Sequence, residues 1–422
     1  MSDIAITTLL NQTDRDIAAY LESCVHCGEC AEACQFYLAT GDAKYTPTYK
    51  LNPMVKAYRR EKAPMRGIWK FLGMAPEVTE AEIREWEELV YDSCTMCGRC
   101  TLVCPMGIDI AGTIRKMREA YAAADIVPEG LAAARENVER TSSPMGVTAK
   151  ALLAQIKHQE EDTGLKIPVD VEGAEYMAIF SSHEIMASPE VIGAYARIFK
   201  HAGISWTIST EAYEATNVGV QIGSGPLAKK IVQRVVDAAT KLKVRHVISP
   251  ECGHAYGAIR WAGPNLVGKT FDFEVLHILE LLDRLREEGK LPVGTKDTRR
   301  LTLHDPCQIV RRGGLLKEPR KLLDRACDDF VEMPGAGIAN LCCGGGGGVS
   351  ANPRAEELMI GAFGKKLEQI QSMKDVDAVV VPCGNCRGVF EDGLFEHDVE
   401  MEVISLAQLV ADTLDTADAA TG

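Results

Sequence analysis

Thiolate chemistry dominates this chain: it holds fifteen cysteines in 422 residues, and thirteen of them fall into three sets. The first set is Cys24, Cys27, Cys30 and Cys34; the second is Cys94, Cys97, Cys100 and Cys104. Each is a complete Cys-x2-Cys-x2-Cys-x3-Cys run. Three cysteines at that spacing wrap one cubane, and the fourth ligates the other cluster in two-cluster ferredoxins. The spacing therefore predicts one [4Fe–4S] centre on Cys24, Cys27, Cys30 and Cys104, and a second on Cys94, Cys97, Cys100 and Cys34. The alternative is a pair of zinc knuckles, but zinc favours two Cys-x2-Cys pairs per ion. Cys104 is followed by Pro105, whereas Cys34 is followed by Gln35, a small departure from the ferredoxin pattern. His26, inside the first run, reads as an outer hydrogen-bond donor or an exposed residue rather than a ligand.

The third set is Cys307, the adjacent pair Cys342 and Cys343, and Cys383 with Cys386. Adjacent cysteines serve one small tetrahedral ion poorly but can bridge neighbouring irons of an extended cluster. The alternative is a buried structural pair. The glycines Gly344 to Gly348 would let backbone approach a cluster and direct N–H groups at sulfur. Cys307 and Cys383 each follow an apolar run directly, which places them at strand ends, where open α/β sheets bind ligands.

These cysteines need two kinds of scaffold. Between the first two sets the patterning is helical, as in Glu80 to Tyr91, and Ile110 to Ala124 reads as an amphipathic helix. Residues 126–172, with Pro128, Pro144 and Pro168, read as a linker carrying one or two helices. The remainder repeats. A shift of 125 carries Tyr176 onto Leu301, Ser182 onto Cys307 and Asn217-Val218-Gly219 onto Cys342-Cys343-Gly344. Further on, His246 to Pro250 matches Val379 to Pro382 in type, and Glu274-Val275-Leu276 matches Glu402-Val403-Ile404. Short apolar strands alternating with longer helices predict parallel α/β units. The expected fold is α+α/β: an N-terminal α-helical two-cluster ferredoxin domain (1–125), the linker (126–172), and two tandem Rossmann-like α/β units (173–295 and 296–415). A small polar tail (416–422) is expected to fray. Trp206 and Trp261 are expected in the α/β core, and Cys327 in a helix, buried and inert.

A net charge of −14, from 46 basic and 60 acidic residues, argues against a nucleic-acid partner. The sequence shows neither a secretory-signal layout at its start nor a membrane-length apolar run, so a reducing cytoplasm is expected. One stretch departs from the acidic balance: Lys44 to Lys70 contains Lys50, Lys56, Arg59, Arg60, Lys62 and Arg66, beside Trp69 and Phe71. It reads either as a dock for a membrane subunit or anionic lipid, or as a solvated loop. Arg311 and Arg312, just after Cys307, could balance cluster charge or attract an acidic partner. No dinucleotide fingerprint is present.

The segments His304-Asp305-Pro306-Cys307, Cys342-Cys343-Gly344-Gly345-Gly346-Gly347 and Pro382-Cys383-Gly384-Asn385-Cys386 resemble the cysteine-rich CCG domain of heterodisulfide reductase catalytic subunits and their relatives. Ferredoxin part and CCG units together resemble the fused, membrane-complex form of that family over nearly the whole chain. The resemblance implies a non-cubane [4Fe–4S] cluster on Cys307, Cys342, Cys343, Cys383 and Cys386, which cleaves or forms a disulfide by binding substrate sulfur. It implies a hetero-oligomeric complex on the inner face of the cytoplasmic membrane, with a cytochrome b-type quinone-interacting membrane subunit. The substrate would be a small disulfide or trisulfide, or sulfur on a carrier protein. The first α/β unit departs from the pattern. It has Ser182 and Asn217-Val218 in place of cysteines, and Glu251 and His254 where Cys383 and Cys386 fall. That unit should carry no cluster. Cys252 and His254 either face the site and handle a proton or thiol, or merely pack at a strand end. Two other readings stay open. One is an electron relay for a flavin-dependent dehydrogenase of the glycerol-3-phosphate, glycolate or lactate type. The other is a scaffold with structural clusters.

Overall fold

The computed structural model describes residues 2–414, so the expected tail lies outside the described residues. The chain divides into two compact units. The first gathers Met1–Ala132, Val218–Leu227 and Leu341–Leu367; the second gathers Ala133–Asn217, Ala228–Asn340 and Glu368–Gly422.

The first unit is helical among the described residues. Its helices include α1 (Ser2–Gln12), the single turn α2 (Pro47–Lys50) and α3 (Ile110–Ala123). Asp109 starts α3 by accepting a hydrogen bond from the Gly112 N–H at 3.0 Å, an N-cap that meets one of the orphan donors of a helix start. Its apolar face, including Ile110, Ile114, Met117 and Tyr121, is buried, and α1 packs against it. The helix expected over Glu80 to Tyr91 forms as Glu80–Glu87 and then widens into a π turn over Glu88–Asp92.

The second unit holds two four-stranded parallel sheets. Their strands are β1 (Tyr176–Ala178), β2 (Trp206–Ile208), β3 (His246–Ser249), β4 (Glu274–His277), and then β5 (Asp297–Leu303), β6 (Cys327–Val331), β7 (Ala378–Val380) and β8 (Glu402–Ile404). The strand orders are β2-β1-β3-β4 and β6-β5-β7-β8, the same pattern twice. Tyr176 of β1 stands between Trp206 and His246, and Leu301 of β5 stands between Phe330 and Ala378. Tyr176 and Leu301, 125 residues apart, thus hold the same place in the two sheets. The inner strands β1, β3 and β7 are largely buried, as is the C-terminal half of β5 (Leu301 to Leu303), as parallel strands covered on both faces must be. Under the first sheet, Met177, Val247 and Val275 pack with Val235, Ala238 and Leu242 in one core. Helix α4 (Gly253–Tyr256) follows β3, and helix α5 (Gly384–Glu396) follows β7.

Residues 126–172 carry helices Glu129–Thr141 and Ala149–Thr163. Two expectations need correcting. Trp206 is buried, but Trp261 is 56 % exposed on a π turn after α4, with the Arg260 guanidinium 5.4 Å from its ring. Cys327 is buried, yet it opens β6 instead of continuing the helix Glu318–Ala326, and its thiol donates to the Leu323 carbonyl at 3.3 Å.

Candidate iron–sulfur centres

In the first unit two cysteine loops share one backbone form. His26 and Gly28 have φ of 54° and 89°, and Met96 and Gly98 have φ of 53° and 77°. Nothing crowds a Cβ at Gly28, so backbone conformation alone calls for glycine there. Each loop wraps a cavity. Cys24, Cys27, Cys30 and Cys104 line one; Cys94, Cys97, Cys100 and Cys34 line the other. Ile110, at the start of α3, borders both. Three sulfurs from one run and one from the other make a four-thiolate donor set, not the paired arrangement of a zinc knuckle. Burial pushes up the thiols of Cys30, Cys94 and Cys100. Iron held there would reverse that balance, since a coordinating thiol is deprotonated outright. His26 is exposed.

The surroundings of the two cavities differ. Helix α2 touches both: Thr48 hydrogen-bonds the Cys30 sulfur, and Lys50 sends its ammonium 3.6 Å from the Cys34 Sγ. Lys50 is buried and also donates to the Ser93 carbonyl. Arg118, on α3, is wholly buried. Its donors all meet main-chain carbonyls: Val90 at 2.9 Å, Gln221 at 2.7 Å, Cys94 at 2.7 Å, Tyr91 at 3.5 Å, and Gly347.

The third cysteine set is divided by the chain's course. Cys342 and Cys343 belong to the first unit; Cys307, Cys383 and Cys386 belong to the second. In the first unit, Cys342 lines the cavity of Cys34, Cys94, Cys97 and Cys100, with its Sγ 3.5 Å from the Thr95 hydroxyl. The glycine run lies on the same loop. Gly347 has φ of 64°, and a Cβ there would come within 2.9 Å of the Thr95 backbone. In the second unit, Cys307 follows β5, and Cys383 caps α5 with Cys386 in its first turn. All three are buried. A His304 ring nitrogen lies within 4.8 Å of the Cys386 sulfur. The Cys386 thiol hydrogen-bonds Cys383 and holds it below the usual thiol range, with help from Arg387 and the Gly253 N–H. Asp305, buried in the Cys307 loop, takes a bidentate pair from Arg320 at 2.9 and 2.8 Å.

The first sheet's strand end places Cys252, not Glu251, opposite Cys383. Ile248 and Val380 hold equivalent register positions. Cys252 caps α4 as Cys383 caps α5, with φ, ψ of −146°, 102° against −159°, 114°. One extra residue, Glu251, separates strand from cap in the first half. Its buried carboxylate takes the Arg387 guanidinium, the Ser405 hydroxyl at 2.8 Å and the Ala407 N–H at 3.1 Å, and its carbonyl accepts from Gly384 at 2.8 Å. Cys252 is buried 3.7 Å from the Thr216 hydroxyl; burial, then the Cys383 charge, push its thiol up to about 12. His254 is half-buried in the first turn of α4.

The basic stretch is partly paired with acids. Lys56 pairs with Glu82, Arg60 with Glu61 and Glu77, and Lys70 with Glu61. Its exposed surface mixes the basic Arg59, Lys62, Arg66 and Lys70 with the apolar Ile68, Phe71, Leu72 and Met74, Phe71 being 89 % accessible. Among the described residues no helix is long and apolar enough to cross a membrane.

Sequence reasoning did not single out Arg118, or Lys50 apart from its basic neighbours, because nothing local marks a lysine or arginine as buried. The pairing of Glu251 with Arg387 was equally hidden.

Two family descriptions match this chain: a 4Fe-4S dicluster domain over residues 20–108 and a cysteine-rich domain over residues 301–391. Fold and cysteine sets define an iron–sulfur electron-transfer protein built from a ferredoxin part and a CCG part. Its relatives narrow the class. The Hdr-like menaquinol oxidoreductase iron-sulfur subunit 2 of Archaeoglobus fulgidus is 26% identical, over 96% of this chain and 81% of its own length. One subunit of the dihydromethanophenazine:CoB--CoM heterodisulfide reductase of Methanosarcina acetivorans is 26% identical, over 93% of this chain and 94% of its own. The EtfAB:quinone oxidoreductase of Syntrophomonas wolfei is 28% identical, over 90% of this chain and 56% of its own. The chain is an iron–sulfur oxidoreductase similar to these heterodisulfide reductase-like subunits.

Proposed function

We propose that this chain is a thiol–disulfide oxidoreductase subunit with two cubane clusters and one non-cubane [4Fe–4S] cluster. On this reading Cys24, Cys27, Cys30 and Cys104 hold the first cubane, and Cys94, Cys97, Cys100 and Cys34 the second. Cys307, Cys342, Cys343, Cys383 and Cys386 hold the non-cubane cluster, and the two sheets are tandem Rossmann-like CCG units of which only the second ligates. When bound, the clusters supply one-electron storage and an iron site for substrate sulfur. The observation that supports the reading is Cys342, one of the five, lining the cavity of Cys34, Cys94, Cys97 and Cys100.

The protein's own part is to position and to exclude water. Buried cysteines and Gly344 to Gly348 keep the substrate site dry and let backbone N–H groups reach sulfur, as the Gly344 N–H reaches Cys342 at 3.5 Å. Cleaving a disulfide takes two electrons and two protons and yields two thiols. Cys252, whose thiol burial keeps protonated, and half-buried His254 stand at the strand end beside α5 as candidate proton carriers. The partner is a quinone-interacting membrane subunit of the cytochrome b type in a hetero-oligomeric complex, with this chain on the inner membrane face. The printed names of the relatives, which include a menaquinol and a quinone oxidoreductase, and the exposed apolar segment around Phe71 support that partner. The substrate is a small disulfide or trisulfide, or carrier-bound sulfur.

The EtfAB:quinone relative favours a second reading, in which the chain only relays electrons from a flavin partner. Iron and acid-labile sulfide per chain separate the two. About twelve irons and a thiol-sensitive spectrum support the disulfide reading; about eight irons and no thiol response support the relay. Cys343→Ala is expected to abolish thiol–disulfide turnover while both cubane signals persist. Full turnover in that variant would make the catalytic assignment wrong.

A further inference from the structure

We infer that Lys50, backed by Arg118, makes the second cubane the higher-potential one of the pair, so that electrons are drawn from the first cubane toward the CCG site. The inference rests on the two-cubane reading above and goes beyond it by ordering the two centres.

Lys50 is buried, and its partners are the Ser93 carbonyl, the Cys34 sulfur and the Phe36 and Tyr45 rings at 5.1 and 6.0 Å. Among the described residues no carboxylate pairs with it. Arg118 has only main-chain carbonyls as hydrogen-bond partners. The carboxylate that acts on Arg118, Asp92, is itself paired with Arg354, and buried cations without a carboxylate of their own are costly unless an anion lies close. Thiolates of an iron–sulfur cluster supply that anion, and both cations act on Cys94. The groups acting on Cys30 in the first cavity are Thr48, a neutral donor, and the sulfurs of Cys24 and Cys104; Cys94 and Cys100 in the second also meet neighbouring sulfurs, but Lys50 acts on both of them. Reduction adds negative charge to a cluster. A buried ammonium at 3.6 Å from a ligand sulfur stabilises that added charge strongly in a poorly screened site, and charge and hydrogen bonds to sulfur set cluster potentials. The first loop is also the more open one, with Cys27, Val25 and Met106 exposed, which suits electron exchange with a partner.

The test is an anaerobic potentiometric titration followed by electron paramagnetic resonance, with Cys30→Ser and Cys100→Ser used to assign the two cubane signals. In the wild-type protein the signal perturbed by Cys100→Ser is expected to be reduced first. Lys50→Gln keeps a hydrogen-bond donor and removes the charge; Lys50→Met removes both. Each is expected to lower the second cubane's midpoint by at least about 59 mV, a tenfold change in a one-electron equilibrium, and to leave the first unmoved. Two cubane signals with the first centre reduced earlier, or with midpoints unmoved by Lys50→Gln, overturn this inference alone. A wild-type chain with one cubane signal overturns the two-cluster reading and this inference with it.

Discussion

At the end of β3 the chain runs Ser249-Pro250-Glu251-Cys252 into α4; at the end of β7 it runs Val381-Pro382-Cys383 into α5. The sheets behind these loops have the same strand order, and the caps have nearly the same dihedrals. One inserted residue separates them, and it changes the task of the first half. Cys252 keeps the cap position but is left a protonated thiol, while Glu251 reaches Arg387 and Ser405 of the second half. The reciprocal bonds from the Gly384 N–H to the Glu251 carbonyl and from the Gly253 N–H to the Cys383 sulfur tie the two strand ends together. The first half thereby clamps the strand end that carries Cys383.

The comparison is sharpest at the two cap cysteines. Cys383→Ala is expected to remove about four irons per chain and all thiol–disulfide turnover. Cys252→Ala should keep its iron and lose less than about tenfold in turnover, the low end of outer-shell effects. Iron analysis beside a turnover assay decides it. Equal loss in both variants would mean that the first half still ligates, and the clamp reading would fail.

Glu251 is the next largest effect. Glu251→Ala leaves the Arg387 guanidinium buried without its carboxylate, which costs about 3–5 kcal/mol. Glu251→Gln retains acceptor capacity for Ser405 and Ala407 and should cost less. Anaerobic chemical denaturation measures both. If the two variants unfold together, within about 0.5 kcal/mol of the wild type as a surface substitution would, Glu251 is not a clamp.

This contrast also marks how much was legible in the residues. Cysteine runs announce themselves because ligand spacing is a property of sequence, and the 125-residue shift matched β1 to β5 because strand register follows apolar runs. Matching the later strand ends by residue type could not see a single insertion, so Glu251 was matched to Cys383 when Cys252 holds the place. Lys50 sits in a basic stretch that reads as a solvated face, and only the packing of α2 between two cysteine loops buries it. Trp261 reads as core because tryptophan is large and apolar, yet a π turn rotates it outward. Each miss concerns a tertiary contact with no local signature.

The smallest effect contrasts a buried acid in each half. In the second, Asp305 is held by Arg320 in a bidentate pair. In the first, Glu214 is wholly buried, one of its oxygens meets no donor among the described residues, and burial pushes its carboxyl up to about 8. Burial likewise pushes Glu184 up to about 7. In the unfolded chain these groups lose their protons near pH 4.5, while the folded state keeps them until about 7 to 8. Between those limits the folded state binds more protons, so stability must fall as pH rises. His183 and His277, lowered by burial to about 4 and about 3, slope the opposite way but only below their ordinary value of 6.5. From pH 6.5 to 8 the acids act without them. Glu214 should then cost up to about 1.4 kcal/mol per pH unit, and Glu214→Gln should flatten the wild-type slope over that window. Unchanged slopes in the variant would show that Glu214 is already ionised in the folded protein, and that the first half pairs its buried acid as well as the second.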